Sequence, residues 1–159
     1  MGEERKKGGR GVNQREYLER AGALEKTLYR TAWVYLGSES QAVDAVDEAV
    51  YRGLCACGKL RQPEYFSTWL TRILLNVCAG EARRRRREVA MEALPETAAA
   101  QEYDALPLKQ AIARLPENLR AVVTLRYFTG LTLEETARAL DVPVGTVSTR
   151  QRRDRKSVV

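Results

Sequence analysis

The chain has 159 residues, of which 44% are hydrophobic, so it is long enough and apolar enough for one or two compact domains. It holds 27 lysines and arginines against 21 aspartates and glutamates, and the net charge of +6 favours a polyanionic partner such as nucleic acid. No apolar run is long enough to span a bilayer, and the charged N-terminus is followed by no hydrophobic leader, so we expect a soluble, cytoplasmic protein.

Three cysteines and the absence of histidine leave neither a usual zinc-ligand spacing nor a Cys–His catalytic pair. We therefore expect Cys55, Cys57 and Cys78 to be reduced thiols that line the core, and we expect no metal and no cofactor. One alternative stays open, in which Cys55 and Cys57 bind a metal together with ligands from a partner.

The N-terminal segment, residues 1–13, is basic and glycine-rich and lacks periodic apolar residues, which predicts a flexible arm. Apolar residues at helical spacing then predict one helix from Gln14 to Leu36, ended by Gly37. The next helix, capped by Ser38, runs to about Cys57 and is predicted to bury Val43, Val46, Val50 and Leu54.

The other face of this second helix carries a cluster of carboxylates, Asp44, Asp47 and Glu48. DNA phosphates would repel such a cluster, so we expect this face to point away from nucleic acid. Two interpretations stay open: a solvated surface on which Glu48 pairs with Arg52 one turn on, or a surface that binds a basic protein partner. Catalytic carboxylates are a weaker interpretation, because no nucleophile, metal set or phosphate-binding glycine loop accompanies them.

A third helix is predicted from Phe66 onward, where apolar residues form a wide stripe and the polar side runs into five consecutive arginines, residues 83–87. Five arginines are too many for salt bridges at i±4, so most should face solvent or an anionic partner. Asn, Thr, Tyr and Trp side chains lie nearby in the sequence. This mixture suits phosphate contact together with stacking on unpaired bases.

Residues 89–104 are rich in alanine and acidic residues and show no amphipathic period, which predicts a linker. Helical periodicity resumes over residues 105–159, and neither half shows a strand pattern. The predicted fold class is therefore all-α: two small helical domains, residues 14–88 and 105–159, joined by a flexible acidic linker.

A helix-turn-helix is predicted for residues 131–153, with the sequence LTLEETARALDVPVGTVSTRQRR. Thr132 and Glu135 match a capping box, and Pro143 suits the start of a second helix. That second helix is small, polar and basic on its outer side, which suits the major groove of DNA. Its candidate DNA contacts are Thr146, Ser148, Thr149, Arg150, Arg152 and Arg153.

From about Leu24 to Arg153 the chain resembles the extracytoplasmic-function branch of bacterial RNA polymerase sigma factors. The resemblance rests on LYRTAWVYLGSESQAVDAVDEAVYR, FSTWLTRILLNVCAGEARRRRR and LPENLRAVVTLRYFTGLTLEETARALDVPVGTVSTR, in this order. The first two segments are not expected in a generic helix-turn-helix regulator. The resemblance implies a non-enzymatic subunit that binds core RNA polymerase, recognises promoters and helps to open DNA.

The resemblance also implies a role for each segment. The second helix would bind a coiled coil of the largest polymerase subunit through Asp44, Asp47, Glu48 and Arg52. The following loop and helix would contact the minus-10 element, through Arg61, Tyr65, Trp69, Arg72, Asn76, Arg83, Arg84, Arg85, Arg86 and Arg87. The helix-turn-helix would read the minus-35 element while its domain docks on the flap of the other large subunit. An anti-sigma factor is a further expected partner.

Two other hypotheses compete with this one. The chain could be a stand-alone helix-turn-helix regulator that does not associate with polymerase, or a nuclease or recombinase that uses Asp44, Asp47 and Glu48. The family commonly has an apolar residue where Gln151 stands, and the chain ends soon afterwards. We therefore expect the end of the second domain to be under-packed.

Overall fold

A computed structural model describes residues 11–92 and 106–158, and every regular element within those ranges is helical, which confirms the all-α fold class. The described part of the first domain contains four α-helices: α1 (Gln14–Ala23), α2 (Glu25–Leu36), α3 (Glu39–Ala56) and α4 (Phe66–Glu92). Two single 3₁₀ turns, Cys57–Lys59 and Pro63–Tyr65, connect α3 to α4.

The described part of the second domain begins with α5 (Leu106–Arg114) and α6 (Glu117–Val123). A π-helical turn (Thr124–Thr129) continues α6 and ends at Gly130, whose φ of 86° lies in the left-handed region that glycine adopts without strain. The helix-turn-helix follows as α7 (Leu133–Leu140) and α8 (Val144–Val158).

The helix predicted from Gln14 to Leu36 is two helices in the structure. Leu24 ends α1, because its N–H turns back to the carbonyl of Ala21 at 3.0 Å instead of continuing the helix. The break lets both Tyr17 of α1 and Leu28 of α2 be buried. The Tyr17 hydroxyl donates to the Val50 carbonyl at 2.6 Å, and burial raises the pKa of Tyr17 to about 12.

The predicted flexible arm, residues 1–13, extends too far along the chain. Gly11 donates its N–H to the Leu60 carbonyl at 2.7 Å, and the buried Val12 donates to Cys57 at 2.9 Å. Asn13 caps α1 with its side chain. These residues are therefore part of the first domain, and residues 1–10 lie outside the described part of the chain.

The buried face of α3 consists mostly of small residues, Ala42, Ala45, Val46 and Ala49. Small side chains let α3 pack closely against both α2 and α4, so the predicted stripe is rotated and Val43 is 47% exposed rather than buried. Cys57 and Cys78 are buried as expected, whereas Cys55 is exposed, so its predicted place in the core is wrong. Burial raises the pKa of Cys78 to about 12, which keeps that thiol protonated.

The first four residues of the predicted linker, residues 89–104, are helical in the structure. Helix α4 continues to Glu92, and residues 93–105 lie outside the described part of the chain.

The two domains pack against each other through α2. Val34 lies in one buried cluster with four residues of the second domain, Ile112, Leu115, Leu119 and Val123. Thr31, also on α2, has its hydroxyl 2.6 Å from the hydroxyl of Thr129. No feature of the sequence indicated this contact, because it joins faces of helices that are about a hundred residues apart in the chain.

Candidate nucleic-acid and partner interfaces

The acidic cluster of α3 is exposed, as its spacing predicts. Asp44, Asp47 and Glu48 all face solvent, and Glu48 accepts from Nε of Arg52 at 2.8 Å. A groove of about 480 Å³ between α3 and α4 brings together Asp44, Glu48 and Arg52, and Asn76 also lines it. Asp47 lies apart from them, in a neighbouring groove on the α2 side.

Exposed apolar residues line this groove and the adjoining one between α1 and α3, although the sequence pattern had placed them in the core or left them unassigned. Val43 and Tyr51, which are 47% and 63% exposed, flank Asp47 along α3. Leu18 of α1 is 54% exposed and lines the same side. Residues 43, 47 and 51 are each four apart and therefore share one helix face, a spacing that could have revealed this surface in advance.

The predicted minus-10 candidates fall into two environments. Arg61 is exposed on the loop before α4, and Arg72 is exposed on α4 itself. Trp69 is half-buried in an aromatic cluster, with its ring centroid 5.6 Å from that of Phe66 and 6.3 Å from that of Tyr17. Trp69 therefore packs in the core of the first domain and is only partly accessible to solvent.

Two of these candidates contact the second domain. The guanidinium of Arg138 lies over the ring of Tyr65, 3.8 Å from its centroid. A carboxylate oxygen of Asp141 lies 3.3 Å from Nη2 of Arg72. Helix α7 thus packs on the side of α4 that carries Arg72, next to the turn that carries Tyr65.

The five arginines of residues 83–87 are all exposed, but three of them have partners. Arg84 donates to Glu81 at 2.8 Å, three residues earlier. Arg83 and Arg85 reach other helices, where Arg83 pairs with Glu117 of α6 at 2.9 Å and Arg85 donates to Gln41 of α3 at 2.8 Å. All five side chains therefore face solvent, as expected, and three of them also contact protein groups.

The helix-turn-helix has the predicted local geometry. Thr132 accepts from the Glu135 N–H at 3.0 Å while the Glu135 carboxylate accepts from the Thr132 N–H at 2.9 Å, which completes the capping box. Asp141 forms the turn with φ of 59°, a left-handed conformation that Asp and Asn tolerate better than most residues. Val147 is fully buried against Val122 and Ala137 and fixes the orientation of α8.

The predicted DNA contacts of α8 remain accessible around this buried valine. Thr149, Arg152 and Arg153 are exposed, and Thr146, Ser148 and Arg150 are half-buried. The structure thus places all six side chains outside the core of the second domain.

Gln151 is anchored by polar contacts, whereas the side chains after Arg153, which the expected under-packing also concerns, lie outside the described residues. Its amide oxygen accepts from Nε of Arg126 at 3.1 Å, and its amide nitrogen donates to the Tyr127 hydroxyl at 3.1 Å. Arg126 also donates to the Leu131 carbonyl at 2.6 Å. A polar network therefore holds Gln151 in place, and the backbone of α8 stays helical to Val158.

We expect Gln151→Leu to lower the free energy of unfolding by about 1–2 kcal/mol, because the charged Arg126 loses an acceptor. Gln151→Glu is the matched control: it keeps an acceptor for Arg126 and should lose less stability. Urea unfolding curves of the three proteins measure the difference. A Leu variant as stable as the parent would show that the network contributes nothing.

Among the residues that the structure describes, no group of three His, Cys, Asp or Glu side chains is placed to hold a metal ion. None of the helices in that same part of the chain is long and apolar enough to cross a membrane.

Comparison with known sequences identifies both halves of the chain. The family model for sigma-70 region 2 matches residues 22–88, and the model for sigma-70 region 4 matches residues 111–157. The RNA polymerase sigma-H factor of Pseudomonas aeruginosa is 34% identical over 143 residues, covering 78% of this chain and 74% of that protein. The ECF RNA polymerase sigma factor SigW of Bacillus subtilis is 29% identical over 150 residues, covering 82% and 80% of the two chains.

Solved structures show the same fold. CnrH, in complex with the cytosolic domain of CnrY, superposes with a TM-score of 0.72 at 23% identity, covering 92% of this chain and 86% of that one. The sigma factor RpoE of Bartonella quintana, in complex with the anti-sigma factor NepR, gives a TM-score of 0.70 at 22% identity, covering 88% and 94%.

Two helical domains with the region 2 and region 4 matches in this order define a bacterial sigma factor. Within that class, the chain belongs to the extracytoplasmic-function (ECF) sigma factors, which bind core RNA polymerase and recognise promoters.

Proposed function

We propose that α3 binds core RNA polymerase, that α4 and the loop before it bind the minus-10 element during DNA opening, and that α8 reads the minus-35 element. The observation that carries this proposal is the separation of charge over the surface. Carboxylates cluster on the exposed face of α3, whereas exposed arginines concentrate on α4 and α8. A single chain with both surfaces suits a protein that joins an enzyme to DNA.

The test is transcription in vitro with core polymerase on a promoter library. Added chain should produce transcripts from a defined subset of promoters and should co-purify with core enzyme. A chain that binds DNA yet neither binds core enzyme nor supports transcription would instead be a stand-alone helix-turn-helix regulator.

The polymerase-binding surface combines charge with apolar contact. Asp44, Asp47 and Glu48 suit a basic partner, and Val43 and Tyr51 beside them supply apolar area that water would otherwise cover. The family resemblance implies that the partner of this surface is a coiled coil of the largest polymerase subunit. Arg52 stays paired with Glu48 and would set the register of that contact.

The minus-10 surface suits single-stranded DNA. Tyr65 and Trp69 offer aromatic faces or edges to unpaired bases, each stacked base contributing about 1–3 kcal/mol, while Arg61 and Arg72 offer charge to the backbone. Asn76 differs from these four, because it lines the groove beside the acidic face of α3. We therefore assign Asn76 to the boundary between the DNA and polymerase surfaces.

The arginine segment contributes affinity that does not depend on sequence. Within the described part of the chain, Arg86 and Arg87 form no ion pair, so both are free to neutralise phosphates. Arg84 is held by Glu81 and should contribute less. The arginines therefore differ in their expected contribution although the sequence presents them as five equal residues.

We expect Arg86→Gln to reduce the slope of log K against log salt for single-stranded DNA by about 0.7, which corresponds to one phosphate contact. Arg84→Gln is the matched control, with the same chemical change in the same helix, and should reduce the slope much less. Fluorescence anisotropy titrations over a range of salt concentrations measure both. Equal slopes for the two variants would contradict the assignment.

In the second domain, Arg150, Arg152 and Arg153 would contact phosphates or guanine edges. Thr146, Ser148 and Thr149 would lie nearer the other bases, and the domain would dock on the flap of the second large polymerase subunit. The chain itself would make and break no bond and would act in the cytoplasm with core polymerase. An anti-sigma protein would be a further partner, by analogy with the complex of RpoE with the anti-sigma factor NepR.

A further inference from the structure

Two backbone hydrogen bonds attach the segment before α1 to the loop before α4. Gly11 donates its N–H to the carbonyl of Leu60 at 2.7 Å, and Val12 donates its N–H to the carbonyl of Cys57 at 2.9 Å. Val12 is only 3% exposed, so the segment is also packed into the first domain. The loop is therefore held at the residue directly before Arg61, one of the predicted minus-10 contacts.

This attachment requires glycine at position 11. Gly11 has φ of 74°, in the left-handed region that glycine adopts without strain. A β-carbon at this position would overlap the carbonyl oxygen of Gly58, in the 3₁₀ turn Cys57–Lys59. A larger side chain at position 11 therefore displaces either the segment or the loop.

A second attachment lies on the other side of Arg61. Nη1 of Arg20, on α1, donates to the carbonyl of Pro63 at 2.9 Å. Two further contacts hold the Arg20 guanidinium in place. Its Nη2 lies 2.8 Å from a carboxylate oxygen of Glu16, and its central carbon lies 5.4 Å from the centroid of the Phe66 ring. Helix α1 therefore fixes the loop after Arg61 as well as before it.

Arg61 and Gln62 lie between the two attachments, and both side chains are exposed. Both attachments use backbone carbonyls of the loop, so neither occupies the side chain of Arg61 or Gln62. A short stretch with both ends held has few conformations, and binding a ligand therefore costs it little conformational entropy. The two side chains are thus available to DNA while their backbone is held in place.

We propose that the segment from Gly11 to Arg20 positions the minus-10 loop, residues 57–65, by holding Arg61 in the conformation that binds DNA. This inference rests on the proposed function of that loop. A protein whose binding conformation is populated for part of the time binds its ligand more weakly in proportion to that fraction. Gly11 and Arg20 are therefore positioning residues, and loss of either attachment should weaken strand binding without changing the contacts of α8 or α3.

The test uses the full chain bound to core polymerase. The probe is a fluorescein-labelled single strand that carries the minus-10 element of a promoter selected from the library. We expect Arg20→Ala and Gly11→Ala each to weaken binding of this strand about tenfold. Arg20→Lys keeps a charged donor for the Pro63 carbonyl and should bind within about threefold of the parent chain.

A double-variant cycle shows whether Arg20 acts through the loop. The background is Arg61→Ala with Gln62→Ala, which removes both exposed side chains between the attachments. Adding Arg20→Ala to this background should weaken binding less than about twofold, because the side chains that Arg20 positions are gone. Salt titrations add a second reading. Loss of positioning lowers affinity equally at all salt concentrations, whereas loss of a direct phosphate contact reduces the slope of log K against log salt by about 0.7.

Two matched controls make the same chemical changes at other positions of α1. Arg15→Ala removes an exposed arginine. Gly22→Ala adds a β-carbon that would meet no neighbouring side chain or loop within 4 Å in the described structure. Both should bind the strand within about twofold of the parent chain. Urea unfolding of each variant, and its binding to a duplex that carries only the minus-35 element, separate lost positioning from a general loss of folding.

Strand binding by Arg20→Ala within twofold of the parent would overturn the positioning role. A tenfold loss that persists on the Arg61→Ala, Gln62→Ala background, a reduced salt slope, or an equal loss on the minus-35 duplex would overturn it too. Transcription with core polymerase separates this from the proposed function. A parent chain that transcribes from the library while Arg20→Ala binds the strand equally well refutes only the positioning role. A parent chain that neither binds core enzyme nor supports transcription refutes the proposed function.

Discussion

Reversing two charges on α3, Asp44→Arg with Glu48→Arg, is expected to weaken binding to core RNA polymerase about 100-fold, or by roughly 3 kcal/mol. Both carboxylates are exposed in one groove, so the change should leave the fold intact. Glu48→Arg also places a like charge one turn from Arg52, which costs only a few tenths of a kcal/mol in the helix. Biolayer interferometry with immobilised core enzyme measures the loss.

The control for this prediction is Glu19→Arg with Glu134→Arg, which changes the net charge equally at exposed positions away from α3. It should bind core enzyme within a few-fold of the parent chain. Equal losses for the two double variants would show that net charge alone governs binding. An unchanged affinity for the α3 variant would remove the acidic face from the polymerase interface.

Arg150→Ala is expected to weaken binding to the minus-35 element by about 1–3 kcal/mol and to leave binding to core polymerase unchanged. Arg150 is half-buried on α8 beside the exposed Thr149, so the second domain partly positions its side chain. Titrations of the selected promoter duplex and of a scrambled duplex separate a base contact from a phosphate contact, because only loss of a base contact relaxes the preference between them.

Arg114→Ala is the matched control, since Arg114 is an exposed arginine of the same domain on α5. Its DNA affinity should stay close to that of the parent chain. The assignment of Arg150 fails if its substitution leaves both duplex affinities unchanged, or if it reduces core binding as strongly as DNA binding.

Patterns among neighbouring residues were sufficient to predict the helix-turn-helix from the sequence. The capping box of Thr132 and Glu135 depends on residues within one turn of each other, and it is present as predicted. The acidic face of α3 was likewise readable, because side chains three and four residues apart must share a side of a helix. The order of the three characteristic segments was enough to identify the family, and the region 2 and region 4 matches confirm it.

Local sequence patterns did not predict the environment of side chains whose neighbours lie on other helices. Val43 was predicted to be buried, but close packing of α3 through alanines turned it outward. Gln151 departs from the apolar residue expected at this position, but in the structure its amide forms hydrogen bonds with Arg126 and Tyr127. In both cases the deciding neighbours lie on other helices, which helical periodicity does not describe.

The sequence alone therefore determined the all-α class, the helix-turn-helix, the acidic face and the family, because these follow from contacts within a few residues or from the order of segments. Only the tertiary structure decided which arginines are paired and that α7 covers Tyr65 and Arg72. Those facts depend on how the helices of the two domains pack against each other. The contacts between the domains join residues that are far apart in the chain, such as Thr31 with Thr129 and Arg83 with Glu117.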